Sequence, residues 1–144
     1  MRTITLLVVH CTATPAGRPV GRDTVDSWHR QRGWSGIGYH YLVGLDGTVE
    51  TGREEARVGA HCQHHNAHSI GICYVGGTDR EGRPADTRTK AQRLALRRLL
   101  SELRGRYPKA LIVGHRDLNP LKACPSFDAV AEYADLQPPK TPRP

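Results

Sequence analysis

The sequence predicts a single α/β domain in which a central mixed β-sheet is flanked by α-helices. Short apolar, β-branched segments recur along the chain, and helical patterns separate them. One Asp-Gly turn joins two of the segments as a hairpin. At 144 residues the chain is long enough to bury a core. We expect the domain to span residues 1–136, followed by a proline-rich C-terminal tail over 137–144.

The N-terminal part predicts a strand followed by a helix. Residues 3–9 (TITLLVV) are almost continuously apolar, which is typical of a central strand covered on both faces. Asp23 or Thr24 could cap a helix that runs to about Arg32, because short polar side chains satisfy the free amides of a first turn. Gly33 would then end this helix.

A hairpin is predicted next. Residues 37–43 alternate like a strand, and the Asp-Gly pair at 46–47 favours a turn into a second strand over 48–51. Strand alternation would place Tyr39 and Tyr41 on one face of this hairpin.

A histidine-rich loop at 58–69 precedes a further buried strand at 69–75. The loop carries His61, His64, His65 and His68. Such a cluster can bind metal, but its irregular spacing and polar setting favour a solvated or substrate-facing loop.

The C-terminal part predicts a helix, a strand and a final helix. Thr89 and Gln92 match a capping box, and leucines at helical spacing follow it. Residues 110–113 form a last apolar strand, and Ser126 could cap a helix to about Ala134.

Composition excludes several classes of protein. The four cysteines are spread singly, which argues against a zinc finger, a zinc ribbon and a thioredoxin-like redox motif. A Cys62–Cys73 disulfide is possible on spacing, but a reducing cytoplasm disfavours it. No segment resembles a signal peptide, and the longest apolar run, 4–9, is too short to cross a bilayer. The net charge of +7 favours an anionic partner, although a basic solvated surface explains much of the charge without one.

Three residues offer the ligand types of a zinc site. His10 and His115 both follow short apolar strands and could meet at one end of the sheet, and Cys124 lies on a loop that can fold back to them. Two imidazoles and a thiolate are a three-ligand set that leaves a fourth position open for water. Taken alone, a histidine such as His10 is more often a hydrogen-bonded core residue than a ligand. Cys11, its neighbour on the strand, should point the other way and be buried.

Hydrolysis of an amide also requires stabilisation of a developing oxyanion. Lys122, two residues from a predicted ligand, offers a cation, and Tyr39 offers a phenol donor. The alternatives are a surface lysine and a core tyrosine.

The chain resembles the zinc-dependent N-acetylmuramoyl-L-alanine amidases of the type 2 family, which share their fold with animal peptidoglycan recognition proteins. It is most similar to the small amidase-type lysozymes of bacteriophages. The resemblance extends from about residue 4 to 127 and rests on motifs in the family's order. These are VVHCTAT at 8–14, WHRQRGWSGIGYHYLVGLDGTVETGR at 28–53, VGAH at 58–61, NAHSIGICYVGG at 66–77, and GHRDL with KACPSF within 114–127.

The resemblance implies a function for each matching residue. His10, His115 and Cys124 would bind one Zn²⁺ per chain, and Tyr39 with Lys122 would be catalytic. A second set in the groove-lining loop would contact the peptide or sugar of the substrate: His61, Asn66 and His68. The implied reaction is hydrolysis of the amide between N-acetylmuramic acid and L-alanine.

The resemblance also implies partners and a location. We expect bacterial peptidoglycan as substrate, a possible anionic envelope surface, no specific nucleic acid, and a monomer. An endolysin would remain in the host cytoplasm before its release to the cell wall. One alternative is a module that binds peptidoglycan without cutting it. Another is a basic nucleic-acid-binding protein, although the chain shows no recognised DNA-reading motif and few aromatic residues for stacking.

Overall fold

A computed structural model describes residues 2–139, which form a sheet with helices on both faces. The strands are β1 (Leu6–Cys11), β2 (Thr14–Pro15), β3 (Tyr41–Val43), β4 (Val49–Thr51), β5 (Ser69–Tyr74), β6 (Gly77–Thr78) and β7 (Leu111–Gly114). The helices are α1 (Arg22–Gln31), α2 (Lys90–Arg106), α3 (His115–Leu118) and α4 (Ala129–Glu132), with 3₁₀ turns at Asn66–His68 and Ala134–Leu136. Within these residues, no helix is both long and apolar enough to cross a membrane.

The main sheet has five strands in the order β4-β3-β5-β1-β7. All neighbouring pairs are parallel except the β3–β4 hairpin, which is antiparallel. The predicted mixed sheet is therefore confirmed. A parallel pair of short strands, β2 and β6, was not expected from the sequence.

Two apolar layers cover the sheet. On one face, Leu7 and Val9 of β1 and Ile70 and Ile72 of β5 pack against the α2 residues Leu96, Leu100 and Leu103. On the other face a smaller cluster packs under α1 and contains Val20, Val25, Ile37, Leu42, Cys73 and Val75. All four cysteines are free thiols, so Cys62 and Cys73 form no disulfide.

The first strand is shifted relative to its prediction over 3–9. Parallel pairing with β5 continues through His10 and Cys11, which lie opposite Cys73 and Tyr74. His10 is therefore the penultimate residue of β1 and does not follow its end. Backbone pairing with the distant strand β5 determines where β1 ends, and the local apolar pattern of residues 3–9 does not reveal this pairing.

The strand predicted over 37–43 is confined to β3. Irregular backbone bonds replace the ladder before it: Tyr39 O accepts from Arg53 N at 3.0 Å, and Gly38 O accepts from Ala60 N at 3.0 Å. The prediction that Tyr39 and Tyr41 share a face is wrong. Tyr39 packs against the cluster under α1, whereas Tyr41 packs against the α2 side.

Helix α1 begins earlier than predicted. Its N-cap is Gly21, so neither Asp23 nor Thr24 is the cap. Its end agrees with the prediction at Gly33, whose φ of 89° requires a left-handed backbone. The Gly33 and Trp34 amides donate to Arg30 O and His29 O, which is the Schellman arrangement. This turn places Trp34 beside His29, with ring centroids 4.6 Å apart.

Helix α2 has the predicted capping box. Gln92 N donates to Thr89 Oγ1 at 3.0 Å, and Gln92 Oε1 accepts from Thr89 N at 2.9 Å. The buried Gln92 amide also donates to Val75 O at 2.9 Å and to Val43 O at 3.3 Å. One side chain therefore joins the helix start to the ends of β3 and β5.

The last helix is shorter than predicted and has a different cap. Asp128 caps α4 by accepting from Ala131 N at 3.2 Å. Ser126 cannot do so because its backbone is left-handed, with a φ of 68°, and its hydroxyl donates to Gly77 O at 2.8 Å. The Ser126 hydroxyl, which the sequence suggested as the helix cap, is therefore bonded to a carbonyl of the distant strand β6.

The edge strand β7 is covered by a side chain from the predicted tail. Gln137 accepts from Ile112 N at 2.8 Å and donates to Ile112 O at 2.7 Å. The domain boundary at 136–137 stays a prediction, and its tail residues 140–144 lie outside the described part of the chain.

A buried arginine ties the segment before α2 to α4. The Arg88 side chain is 1% exposed and makes two parallel bonds to Asp86, each 2.9 Å long. Its guanidinium also lies 3.5 Å from the centroid of the Phe127 ring and bonds to Glu132 and Tyr133. Hydrogen bonds from Arg88 hold the pKa of the Asp86 carboxyl below its usual range. Phe127 lies three residues after Cys124, so this cluster supports the loop that carries a predicted ligand.

We expect Arg88→Ala to lower the free energy of unfolding by about 3 kcal/mol, because it leaves two carboxylates without their buried partner. Urea unfolding measures the change. Arg83→Ala is the control, since Arg83 is 73% exposed and its ion pair with Asp79 contributes about 1 kcal/mol or less. Equal losses in both variants would contradict a stabilising role for the buried cluster.

Candidate active site

A cleft of about 840 Å³ opens on the sheet face opposite α2. The side chains of Leu7, Val9 and Cys11 pack on the α2 side of β1. Because side chains alternate along a strand, His10 lies on the opposite side and contributes to the floor of the cleft. The walls come from the turn after α1, the histidine-rich loop and the loop after β7.

The three predicted ligands converge in this cleft. One ligand atom from each of His10, His115 and Cys124 lies within 4.8 Å of the others. The His10 and His115 ring centroids are 4.6 Å apart, and His10 Nδ1 lies 3.8 Å from Cys124 Sγ. His10 is only 1% exposed. The far ends of the sequence therefore meet as the motif predicted.

Local hydrogen bonds hold the loop that carries two of these ligands. His115 is the first residue of α3, and Asp117 Oδ2 accepts from Gly114 N at 2.8 Å at the helix start. Arg116 N donates to Cys124 O at 2.7 Å, which closes the loop on itself. The short helix α3 was not predicted, although Asp117 three residues after Gly114 is half of a capping box.

The donor set fits zinc. Tetrahedral ligands at ordinary zinc–nitrogen and zinc–sulfur lengths stand about 3.6 Å apart, close to the observed 3.8 Å between His10 Nδ1 and Cys124 Sγ. Both imidazoles are in the neutral form that binds metal. Burial, then the neighbouring histidines, hold the pKa of His10 well below its usual value. Burial and the charge of Lys122 lower the pKa of His115.

Cys124 differs from the two imidazoles because its thiol keeps its proton. The hydrogen bond with the Cys11 thiol, together with burial, raises the pKa of Cys124. Metal binding requires the thiolate, so loading the site must release this proton. Cys11 N donates to Cys124 Sγ at 3.2 Å and can stabilise the negative charge that forms there. Cys11 is buried as predicted.

Tyr39 and Lys122 both line the cleft beside the three ligands. The Tyr39 ring centroid lies 5.1 Å from that of His10. Burial, followed by nearby thiols, raises the pKa of Tyr39 well above its usual value, so the phenol keeps its proton and can donate it in a hydrogen bond. Lys122 is exposed and lines the rim of the cleft.

Two of the three residues predicted to contact substrate line the cleft, and the third does not. His61 and Asn66 line the cleft, whereas His68 lies outside its lining. Asn66 Oδ1 accepts from the backbone amides of His61 and Cys62, both at 2.9 Å, and so shapes the loop. His68 Nε2 lies 3.3 Å from His65 Nδ1.

Sequence reasoning missed part of the cleft wall. His29, Arg32 and Trp34 line it next to Tyr39, and the His29 and Tyr39 ring centroids are 5.3 Å apart. His29 Nδ1 accepts from Gly38 N at 2.8 Å. These residues lie inside the motif at 28–53, in which only Tyr39 was predicted to have a functional role.

A mixed α/β sheet with two imidazoles and a cysteine sulfur over one face is typical of a metal-dependent hydrolase. The model of the N-acetylmuramoyl-L-alanine amidase family matches residues 1–127. The chain belongs to this family. Its predicted fold, enzyme class and resemblance are thereby confirmed.

Known relatives agree with this assignment. The endolysin of Enterobacteria phage K11 is 49% identical over 120 residues, which cover 83% of this chain and 79% of that protein. The solved structure of the endolysin amidase LysCS from Clostridium intestinale is 30% identical, with a TM-score of 0.80 and coverage of 94% of this chain and 84% of that one. Wild-type PGRP-LB of Drosophila is 25% identical, with a TM-score of 0.74 over 93% and 81% of the two chains.

Proposed function

We propose that this chain is an endolysin that hydrolyses the amide between N-acetylmuramic acid and L-alanine with one Zn²⁺ held by His10, His115 and Cys124. The observation that carries the proposal is the convergence of these three ligand atoms within 4.8 Å. Its family membership and its 49% identity to a phage endolysin support the substrate class.

Zinc bound there would supply a Lewis acid and an activated water for attack on the amide carbonyl. The protein supplies the rest of the chemistry. The Tyr39 phenol stays protonated because of its burial, and it donates to the oxygen on which negative charge develops. The Lys122 ammonium enters the same cleft from the rim and stabilises that charge electrostatically.

Substrate contacts follow from the cleft walls. His61 and Asn66 lie where the stem peptide or sugar would pass, and Asn66 also holds the loop backbone. His68 would reach only a part of the polymer that extends beyond the cleft.

The remaining features of the proposal concern partners and location. The net charge of +7 suits an acidic wall polymer and an anionic envelope surface. We propose a monomer without a specific nucleic-acid partner, held in the host cytoplasm until release to the wall. The amidase domain would end at 136, with the proline-rich segment 137–144 as its tail.

Mass spectrometry of purified peptidoglycan digested with the protein tests the reaction. We expect free stem peptides and uncut glycan strands. A chelator should stop the release of stem peptides, and added zinc should restore it. Cleaved sugars would identify a glycosidase. Binding to the wall without release of peptide would identify a recognition module, which is the second candidate function.

A further inference from the structure

A chain of hydrogen bonds runs from the ligand His10 to the backbone of the histidine-rich loop. His10 Nε2 lies 2.8 Å from His61 Nδ1, and His61 Nε2 lies 3.2 Å from Ser69 Oγ. The Ser69 hydroxyl in turn donates to His65 O at 2.7 Å. Ser69 is the first residue of β5 and is fully buried.

The direction of every bond in this chain follows from counting protons. The His65 carbonyl can only accept, so it takes the one hydroxyl proton of Ser69. Ser69 Oγ must then accept from His61 Nε2. Among the described residues the two ring nitrogens of His61 face only Ser69 Oγ and His10 Nε2, and no carboxylate bonds to them, so the ring is neutral and carries a single N–H. His61 Nδ1 is therefore an acceptor, and His10 Nε2 carries the proton that it receives.

We propose that Ser69 and His61 are positioning residues that fix the tautomer of His10, so that its Nδ1 lone pair is free to bind the metal. This inference rests on the proposed function of His10 as a zinc ligand. An independent distance agrees with it, because Nδ1 is the His10 nitrogen that lies 3.8 Å from Cys124 Sγ. Hydrogen bonds to the second nitrogen of a ligating histidine orient the ring and strengthen metal binding.

The His61 ring is held in this orientation by close backbone on two sides. A Cβ on Gly71 would lie 2.6 Å from His61 Cγ, and a Cβ on Gly59 would lie 2.8 Å from His61 Cδ2. Real Cβ atoms essentially never approach other atoms so closely, so the His61 ring fits between these two backbone segments only because both residues are glycine. The fold therefore specifies the position of His61 as well as its hydrogen bonds.

Nitrogen-15 NMR of the metal-free protein tests the tautomer directly. We expect His10 and His61 both as the Nε2–H form. Ser69→Ala removes the acceptor for His61 Nε2, so both tautomers of His61 become available and the Nδ1–H form of His10 appears. Zinc affinity, measured by competition with a chelator, should fall about 10- to 100-fold.

Two further variants separate positioning from a general loss of structure. Ser69→Thr keeps the hydroxyl and should restore the wild-type tautomers and most of the zinc affinity. Ser101→Ala makes the same chemical change at an exposed position of α2 and should change neither quantity.

Two results would overturn the inference: a wild-type His10 in the Nδ1–H form, or a Ser69→Ala protein with unchanged tautomers and zinc affinity. The wild-type spectrum decides the first point even if Ser69→Ala fails to fold. Absence of peptidoglycan cleavage by a protein that binds zinc through His10 Nδ1 would contradict the proposed reaction and leave the inference intact.

Discussion

Replacing Cys124 with alanine is expected to remove both the bound zinc and the amide hydrolysis. Its sulfur is one of three ligand atoms within 4.8 Å of one another, and the two remaining imidazoles do not hold a metal firmly. Elemental analysis should give about one zinc per wild-type chain and close to none for the variant. Peptide release should fall to the background rate in the same preparations.

Cys62→Ala is the matched control for that experiment. Cys62 is another buried, free cysteine on the cleft lining, but it is outside the ligand group. It should keep stoichiometric zinc. A Cys124→Ala protein that retains zinc and activity would show that the metal lies elsewhere, and circular dichroism of both variants would verify that they are folded.

The second large effect is expected at the phenol. Tyr39→Phe should keep zinc but lower the rate of hydrolysis about 10²- to 10³-fold, the usual cost of removing one donor to an oxyanion. Lys122→Ala should act in the same direction, since it removes the cation at the rim of the cleft. Steady-state peptide release measures both, with zinc content determined in parallel.

Neighbouring residues of the same type supply the controls. Tyr41→Phe removes a hydroxyl that bonds to Glu55 on the other side of the sheet, and Lys109→Ala removes an exposed lysine before β7. Both should hydrolyse peptidoglycan at close to the wild-type rate. Wild-type turnover by Tyr39→Phe or Lys122→Ala would exclude that residue from the mechanism.

The sequence predicted the sheet and the ligand set for identifiable reasons. Apolar β-branched runs such as the one before His10 mark buried strands, and the chemistry of His10, His115 and Cys124 is rare enough to suggest a metal. The parallel pairing of β1 with β7 brings His10 and His115 together at one end of the sheet, and local patterns in the sequence do not contain that pairing.

The differences between the predicted and the observed structure arise from contacts between segments that are distant in the sequence. The hydroxyl of Ser126 bonds to the carbonyl of Gly77, which no local rule for helix caps anticipates. His61 was predicted as a substrate contact, and its bond to His10 depends on a loop crossing the sheet face. The buried position of Arg88 likewise depends on Phe127, far along the chain.

The side-chain amide of Gln137 at the edge strand β7 affects whether copies of the protein can associate through their sheets. Parallel sheets grow by adding a strand at an open edge, and unpaired backbone groups there template aggregation. The Gln137 side chain occupies both the N–H and the carbonyl of Ile112, where an invading strand would have to pair. The Gln137 side chain thus occupies the backbone groups through which another strand would have to add to β7 at this position.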